Sequence, residues 1–441
     1  MHTLTAIIKL TLIEFVRRRI PLVMGLFFLV MVYAIPYIVI GDGTVKGNFQ
    51  LILTYTLGFT TFFLAVFNMF LSVNVLRKDW RDKVLFVLDS KPVARYQVLL
   101  GKFIGLCILN AFLLAIVYGF TLFNINSLER DYQKQASLNK HLDLMPGDLS
   151  DAKATVLSAR SPLKPLLNKM IVKYQKERKK TISIKSGKWF HWQFKPEEVS
   201  KDVKSYTLRY KFYTSSTTDT YKVRATWIIG NPTKDGGFIR LITNNSVNLY
   251  HELKIPAKLF KKDEILQVSL GNFNKDSILV KIKDGLVVLV QDRSFTFNLL
   301  IAFVILFIQV IFLAAIGLSF STCLSSNVSL LCVLAFYVLL LSGGIVKDLT
   351  HSKILPKEQP TISAFDKGYN LYTKSLASVV SVMLPDYVEL SPMDQISRGV
   401  TIGGSFLLFN VVGIGLRLLL VLCFACIVFA TRELGLIQDI S

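Results

Sequence analysis

The side chains of this sequence that could do chemistry alone are a cysteine pair, an isolated arginine and an isolated histidine. Cys423 and Cys426 form a C-x-x-C, the spacing of redox centres and zinc sites. They lie inside the apolar run Val421 to Ala430, where a free thiol packs as a small hydrophobe. His251 is in phase with Val247, Leu249 and Leu253, so it reads as a satisfied histidine on a strand face rather than a ligand. Arg417 stands within an otherwise apolar run; it either lines a path for an anionic substrate or snorkels to an interface. No H-x-E-x-x-H, Ser-His-Asp grouping or paired-carboxylate spacing is discernible, and neither catalysis nor a metal site is expected in this chain. It also lacks G-x-x-x-x-G-K-(S/T), the backbone cradle for nucleotide phosphates. Gly41, Gly43 and Gly47 have the wrong spacing to replace it.

The elements that must position these residues are set by hydropathy. The chain has 441 residues, 52% of them hydrophobic, with a mean hydropathy of +0.47, which is the signature of a membrane protein. Gly at 25 residues and Cys at 5 exclude collagen-like and disulfide-scaffold classes. All five cysteines, Cys107, Cys323, Cys332, Cys423 and Cys426, lie in or beside apolar runs, so no disulfide framework is in use. Six segments reach the roughly 20 residues that a hydrocarbon core requires: 21–40, 51–76, 101–124, 297–322, 328–346 and 404–430. The first is too long for a cleavable signal and has no small-x-small site after it. An amphipathic helix over 1–20 precedes it. Residues 347–403 form an outer re-entrant or interfacial segment, and 432–441 a tail.

Positive residues near span ends orient the whole. Arg17, Arg18 and Arg19 fall on the same side as the connector holding Arg77, Lys78, Arg81, Lys83, Lys91, Arg95 and Lys102. Both termini and that connector are therefore assigned to the cytoplasm, in the cell's inner membrane, and residues 125–296 face outward. That outer segment has 31 Lys plus Arg against 17 Asp plus Glu, the larger part of the chain's formal +21. Long domains are translocated largely regardless of charge. The excess reads as a solvated surface or as attraction to anionic head groups, glycans or phosphates; nucleic acid is not an expected partner.

Residues 127–180 read as helical, with Leu166, Leu167, Met170 and Ile171 on one face. The period then switches to two. Phe190, Trp192 and Phe194 alternate with Trp189, His191 and Gln193, and Tyr206, Leu208, Tyr210 and Phe212 alternate with polar residues, as half-buried strands require. Further strands are expected at 221–229, 238–243, 247–254, 266–270 and 278–290, so 182–291 reads as a β-sandwich or jelly roll. Trp189, Trp192 and Trp227 invite a sugar- or lipid-binding reading, although aromatics at strand period are usually core. The fold class expected is a six-span polytopic α-helical membrane protein with an extracytoplasmic α+β domain.

The connector Leu76 to Gly105 carries the most information. Trp80, Val84, Val87 and Leu88 recur at helical spacing, predicting an amphipathic surface helix over 77–91 able to dock in a partner's groove. Pro92 ends it, and a new helix starts near Val93. This arrangement resembles the permease subunits of type-2 ATP-binding-cassette transporters, whose connector has an acidic residue, L-x-x-L, P-x-(small)-R and a terminal G-K. The matching residues are Asp82, Leu85, Leu88, Pro92, Ala94, Arg95, Gly101 and Lys102, with Lys83-Val84 where that family has a small G-T pair. The opening stretch Ile8 to Arg19, with Glu14 and its arginines, resembles the same family's first helix. So do Leu384-Pro385-Asp386 before the last span and Phe429 to Leu434 after it. The resemblance covers both membrane halves but not 125–296.

The resemblance implies a homo- or heterodimeric transport unit seated on a separate cytoplasmic ATPase that holds the ATP and Mg, with no cofactor in this chain. It implies export, and it assigns ATPase coupling to Trp80, Asp82, Val84, Leu85, Leu88, Pro92, Arg95 and Lys102. Other partners expected are membrane lipids and, at the outer domain, an anionic glycan, a lipid or an envelope protein. A non-transporting mechanical coupler remains a second reading. A lipid or glycolipid extraction permease is a third, since lipopolysaccharide-export permeases also place a jelly roll after their third span. An ion-coupled carrier fits less well, because the first five apolar runs hold no Asp, Glu, Lys, Arg or His beyond Lys102 at the very start of the third, and none to serve a mid-membrane site.

Overall fold

The computed structural model describes residues 2–17, 19–39, 45–81, 94–138, 155–163, 181–194, 205–214, 222–230, 237–256, 265–281, 285–343, 375, 385, 387 and 390–431. The chain divides into two compact units, one of Met1–Leu157, Thr296–Arg398 and Ile402–Ser441, the other of Ser158–Phe295 with Gly399–Thr401.

The first unit is helical: α1 (His2–Arg17), α2 (Arg19–Ile38), α3 (Val45–Arg81), α4 (Arg95–Leu138), α5 (Phe295–Cys323), α6 (Ser326–Leu341), α7 (Met393–Ser397) and α8 (Gly404–Thr431). Five of them, α2, α3, α4, α5 and α8, are long and apolar enough to cross a bilayer. The chain is a membrane-embedded protein. The expected run 328–346 appears as α6, whose 16 residues rise about 24 Å, short of a hydrocarbon core of about 30 Å.

Inside this unit Ala65, Met69 and Val73 of α3 pack with Phe312, Leu313 and Ile316 of α5 and with Val333, Tyr337 and Leu340 of α6. Gly317 permits the α3–α5 approach, since a Cβ there would lie 1.9 Å from the Ser72 hydroxyl. α5 is the inner helix, with 72% of its apolar window buried, and α8 the outer one, with 17%. Part of the expected interfacial segment is likewise core: Tyr387 and Leu390 are buried in the same cluster.

Three boundaries differ from expectation. Arg77–Arg81 do not begin a separate surface helix, because α3 runs through them unbroken; residues 82–93 lie outside the described residues. α4 continues past the apolar run to Leu138, so 125–138 belong to the helical unit and the second unit starts only at Ser158. Within the expected helix 127–180, Ala159–Leu163 is a strand, while 164–180 lie outside the described residues.

Among the described residues the second unit has eleven strands: β1 (Ala159–Leu163), β2 (Thr181–Ile184), β3 (Lys188–Phe194), β4 (Ser205–Lys211), β5 (Tyr213–Thr214), β6 (Lys222–Gly230), β7 (Phe238–Ser246), β8 (Tyr250–Pro256), β9 (Leu266–Asn272), β10 (Ile278–Lys281) and β11 (Leu286–Arg293). They form antiparallel sheets in the orders β1-β11-β4-β8, β2-β10-β5 and β3-β9-β6-β7. The sheets share one apolar core, which takes Phe190, Trp192 and Phe194 from β3, Tyr206, Leu208 and Tyr210 from β4, and Val223, Ala225, Trp227 and Ile229 from β6. Period two does what it should: alternate residues of each strand turn inward. The expected strand 247–254 starts late. Val247 to Leu249 form a turn with Asn248 at φ 65, a left-handed conformation that Asn tolerates.

Candidate functional site

One end of the helical unit gathers residues from four distant stretches of sequence. α1 presents Ile7, Thr11 and Phe15, four apart and all buried, as one helix face demands. That face meets α4 at Gly101 and Gly105, where a Cβ would lie 2.7 Å from Ile7 and 2.8 Å from Thr11. Two glycines one turn apart thus let the helices touch along their backbones. Sequence reading assigned Gly101 to a terminal G-K motif; in the fold it is the bed of α1.

The neighbouring Lys102 is turned into the interior, with its side chain 4% exposed. Its ammonium lies 2.5 Å from the Asp79 carboxylate, donates to the Val75 carbonyl at 3.1 Å and stands 4.0 Å from Glu14. Glu14 pairs in turn with Lys78 at 3.0 Å. Two cations and two carboxylates from α1, α3 and α4 therefore cancel in a partly dry setting. Removing one partner there costs several kcal/mol, since it leaves a charge uncompensated.

Trp80 lies beside this cluster. Its indole meets Phe429 of α8 edge-on, with centroids 6.1 Å apart, and the Arg77 guanidinium sits 4.9 Å above its ring. Trp80, expected in the coupling segment, is buried against its own chain. At the first residue of α4, Arg95 approaches the Ala430 carbonyl at 3.5 Å, a cation beside the last turn of α8 where the helix dipole favours it. The junction thus joins Glu14, Trp80, Arg95 and Lys102. Asp82, Val84, Leu85, Leu88 and Pro92 lie outside the described residues, as does Arg18. Arg17 and Arg19 lie at the exposed helix ends of α1 and α2.

Asp79 was missed by sequence reading. The signal for it was there: one acid within Arg77-Lys78-Asp79-Trp80-Arg81, at the end of an apolar helix, is the natural mate of a buried lysine.

Deeper in the helices the polar groups are amides. Asn68 of α3 and Asn110 of α4 each donate to the other's side-chain oxygen at 2.7 Å, and each also donates to the carbonyl four residues earlier. Gln309 donates to the Leu390 carbonyl at 3.2 Å, and Tyr387 donates to the Gln309 carbonyl at 2.7 Å. Arg417 lies midway along α8 and donates to the Gly413 carbonyl at 2.9 Å. Cys423 and Cys426 are free thiols on α8, and no metal-holding group of His, Cys, Asp and Glu occurs among the described residues.

In the second unit, Glu252 of β8 takes the guanidinium of Arg160 through both oxygens at 3.1 and 3.2 Å and that of Arg209 at 2.8 Å. Arg160 also anchors Gly399–Thr401 by two backbone hydrogen bonds. His251 is held on both nitrogens: Nε2 donates to the Ser246 carbonyl at 2.8 Å, so Nδ1 accepts from Asn245 at 3.1 Å. Burial raises Tyr206 and Tyr210 above the usual phenol range. At Tyr213 burial also acts upward, but hydrogen bonds from Lys281 and Lys211 and their charges prevail and lower it. Trp192 and Trp227 are core; Trp189 faces the other side of its sheet. Set against known proteins, the chain matches no family model, no curated protein and no solved structure.

Proposed function

We propose that the chain is the transmembrane subunit of an ATP-driven exporter of the type-2 ATP-binding-cassette class, with ATP hydrolysis on a separate cytoplasmic subunit. The observation that carries this reading is the junction, in which Glu14, Lys78, Asp79 and Lys102 tie α1 to the two helix ends flanking connector 82–93. A push on that connector is delivered to the ends of α3 and α4, and the ion pairs make those ends move with α1. In this reading the connector and both termini are cytoplasmic, the membrane is the inner one, and the strand unit lies outside as a sandwich or jelly roll. In this reading α6 serves as the fifth of six crossings. The unit works as a dimer, homomeric or heteromeric, and Arg417 on α8 is the candidate for attracting an anionic substrate. The chain supplies no catalytic group; ATP and Mg belong to the partner.

The second reading is a non-transporting coupler or a lipid-extracting permease, favoured by the separate core of the strand unit. The test is the double variant Val84→Asp with Leu88→Asp. It inserts normally in the membrane but no longer co-purifies with, or stimulates, the ATPase; unchanged coupling overturns the proposal.

A further inference from the structure

We propose that the coreless face of the sheet β3-β9-β6-β7 binds an acidic polysaccharide. Cross-strand register fixes which residues share this face: His191 pairs with Ser269 and Trp189 with Gly271, while Arg224 pairs with Asn244 and Ile228 with Arg240.

The aromatic part is built rather than incidental. Trp189 lies flat on the backbone of Gly271, where a Cβ would come within 2.9 Å of three indole ring atoms. Phe273 meets that indole edge-on, with centroids 5.8 Å apart, and is 56% exposed. The loop carrying Phe273 is locked from beneath. Asn272, fully buried, donates to the Ile184 and Asp276 carbonyls and accepts from Asn274. Asn274 then clamps the backbone of Arg224 by two hydrogen bonds, at 3.0 and 2.9 Å. An aromatic pair and a cation are so fixed side by side. Preorganisation of this kind lowers the cost of binding.

Charge supplies the complement. Lys222, Arg224 and Arg240 are exposed on this face, and the four strands contain no Asp or Glu at all. Hydroxyl-matching groups complete it: the exposed His191 ring and the part-exposed Gln267 amide are hydrogen-bonded to one another and to the buried Ser269 hydroxyl that holds them from beneath. Aromatic rings stack on the C–H faces of sugar rings, amides pair with hydroxyls, and guanidinium pairs bidentately with carboxylate or phosphate. A sugar chain bearing such anions uses all three; a bare lipid surface would leave the hydrogen-bonding set unused. The outward placement of the strand unit decides only where such a chain is met, and the binding test below does not rest on the transporter reading.

The experiment uses the full chain in nanodiscs of neutral lipid and reads tryptophan fluorescence on titration with polygalacturonate, a phosphate-bearing polysaccharide and neutral dextran. The expected result is saturable binding of an acidic chain and at least tenfold weaker binding of dextran. Arg224→Gln with Arg240→Gln lowers the affinity at least tenfold, whereas the charge-matched pair Lys254→Gln with Lys281→Gln keeps it. The two acidic chains separate carboxylate from phosphate recognition. Equal losses in both pairs mean a non-specific polycation and overturn the proposal. So does binding only to vesicles of anionic phospholipid, or no binding of either acidic chain.

Discussion

The two units each bury an apolar core but turn opposite kinds of surface outward. The helical unit buries Asn68, Asn110, Gln309 and Lys102 and exposes Leu408, Phe409, Leu416, Leu420 and Phe424 along α8. The strand unit buries Trp227, Phe194, Leu270 and Val288 and exposes Lys222, Arg224 and Arg240. Each arrangement is the stable one in its own solvent. In hydrocarbon a polar group must find its partner within the protein; in water the apolar side chains must. Both units nonetheless bury charge. The helical junction balances two ammoniums with two carboxylates, while the strand unit spreads one carboxylate, Glu252, across two guanidiniums. The fork of Arg suits that sharing, and the compact ammonium of Lys102 suits insertion between helix ends.

The largest expected effect comes from unbalancing the junction. Asp79→Leu leaves Lys102 buried without its nearest anion and lowers stability by about 3–5 kcal/mol, whereas Asp79→Leu with Lys102→Met restores most of it. Thermal unfolding in detergent reads this; a double variant as unstable as the single would refute the pairing.

The contrast between core and outward surface is sharpened by one substitution made twice. Leu270→Ala in the strand core costs about 2–5 kcal/mol, while Leu416→Ala on the exposed side of α8 stays within about 0.5 kcal/mol.

The smallest effect is one of pH. Tyr206 and Tyr210 ionise in the folded strand unit only above the usual phenol value of 10.0, so their stabilisation is complete below that pH and lost as pH rises past it. Tyr213, lowered by Lys281 and Lys211, acts oppositely: its contribution is complete above pH 10.0 and fades as pH falls through its folded value. Denaturation midpoints taken at pH 8 and pH 11 should therefore fall more steeply in Tyr213→Phe than in the unaltered chain.

Much of this contrast was legible in the residues. Long apolar runs between polar ends announce α2, α3, α4, α5 and α8, and the alternation of Phe190, Trp192 and Phe194 announces β3. What escaped was set by tertiary context. The strand Ala159–Leu163 contains Pro162 and is short; it is viable because it lies at the edge of its sheet, where a missing N–H is harmless. Val247 and Leu249 look like strand residues, yet the chain turns there, with Asn248 donating to the Phe212 carbonyl, a partner far away in sequence. At the candidate site Glu14, Arg95 and Lys102 were singled out only through the family resemblance, and Asp79 and the bed of glycines under α1 depend on which helices meet.

The most direct test of the transport account is a photo-crosslinker placed at Leu88 in the chain expressed in its native membrane. The account predicts a crosslink to a cytoplasmic protein with a nucleotide-phosphate loop, with a yield that changes on adding ATP. Labelling of position 88 by a membrane-impermeant reagent from outside the cell, with no such crosslink, would contradict it.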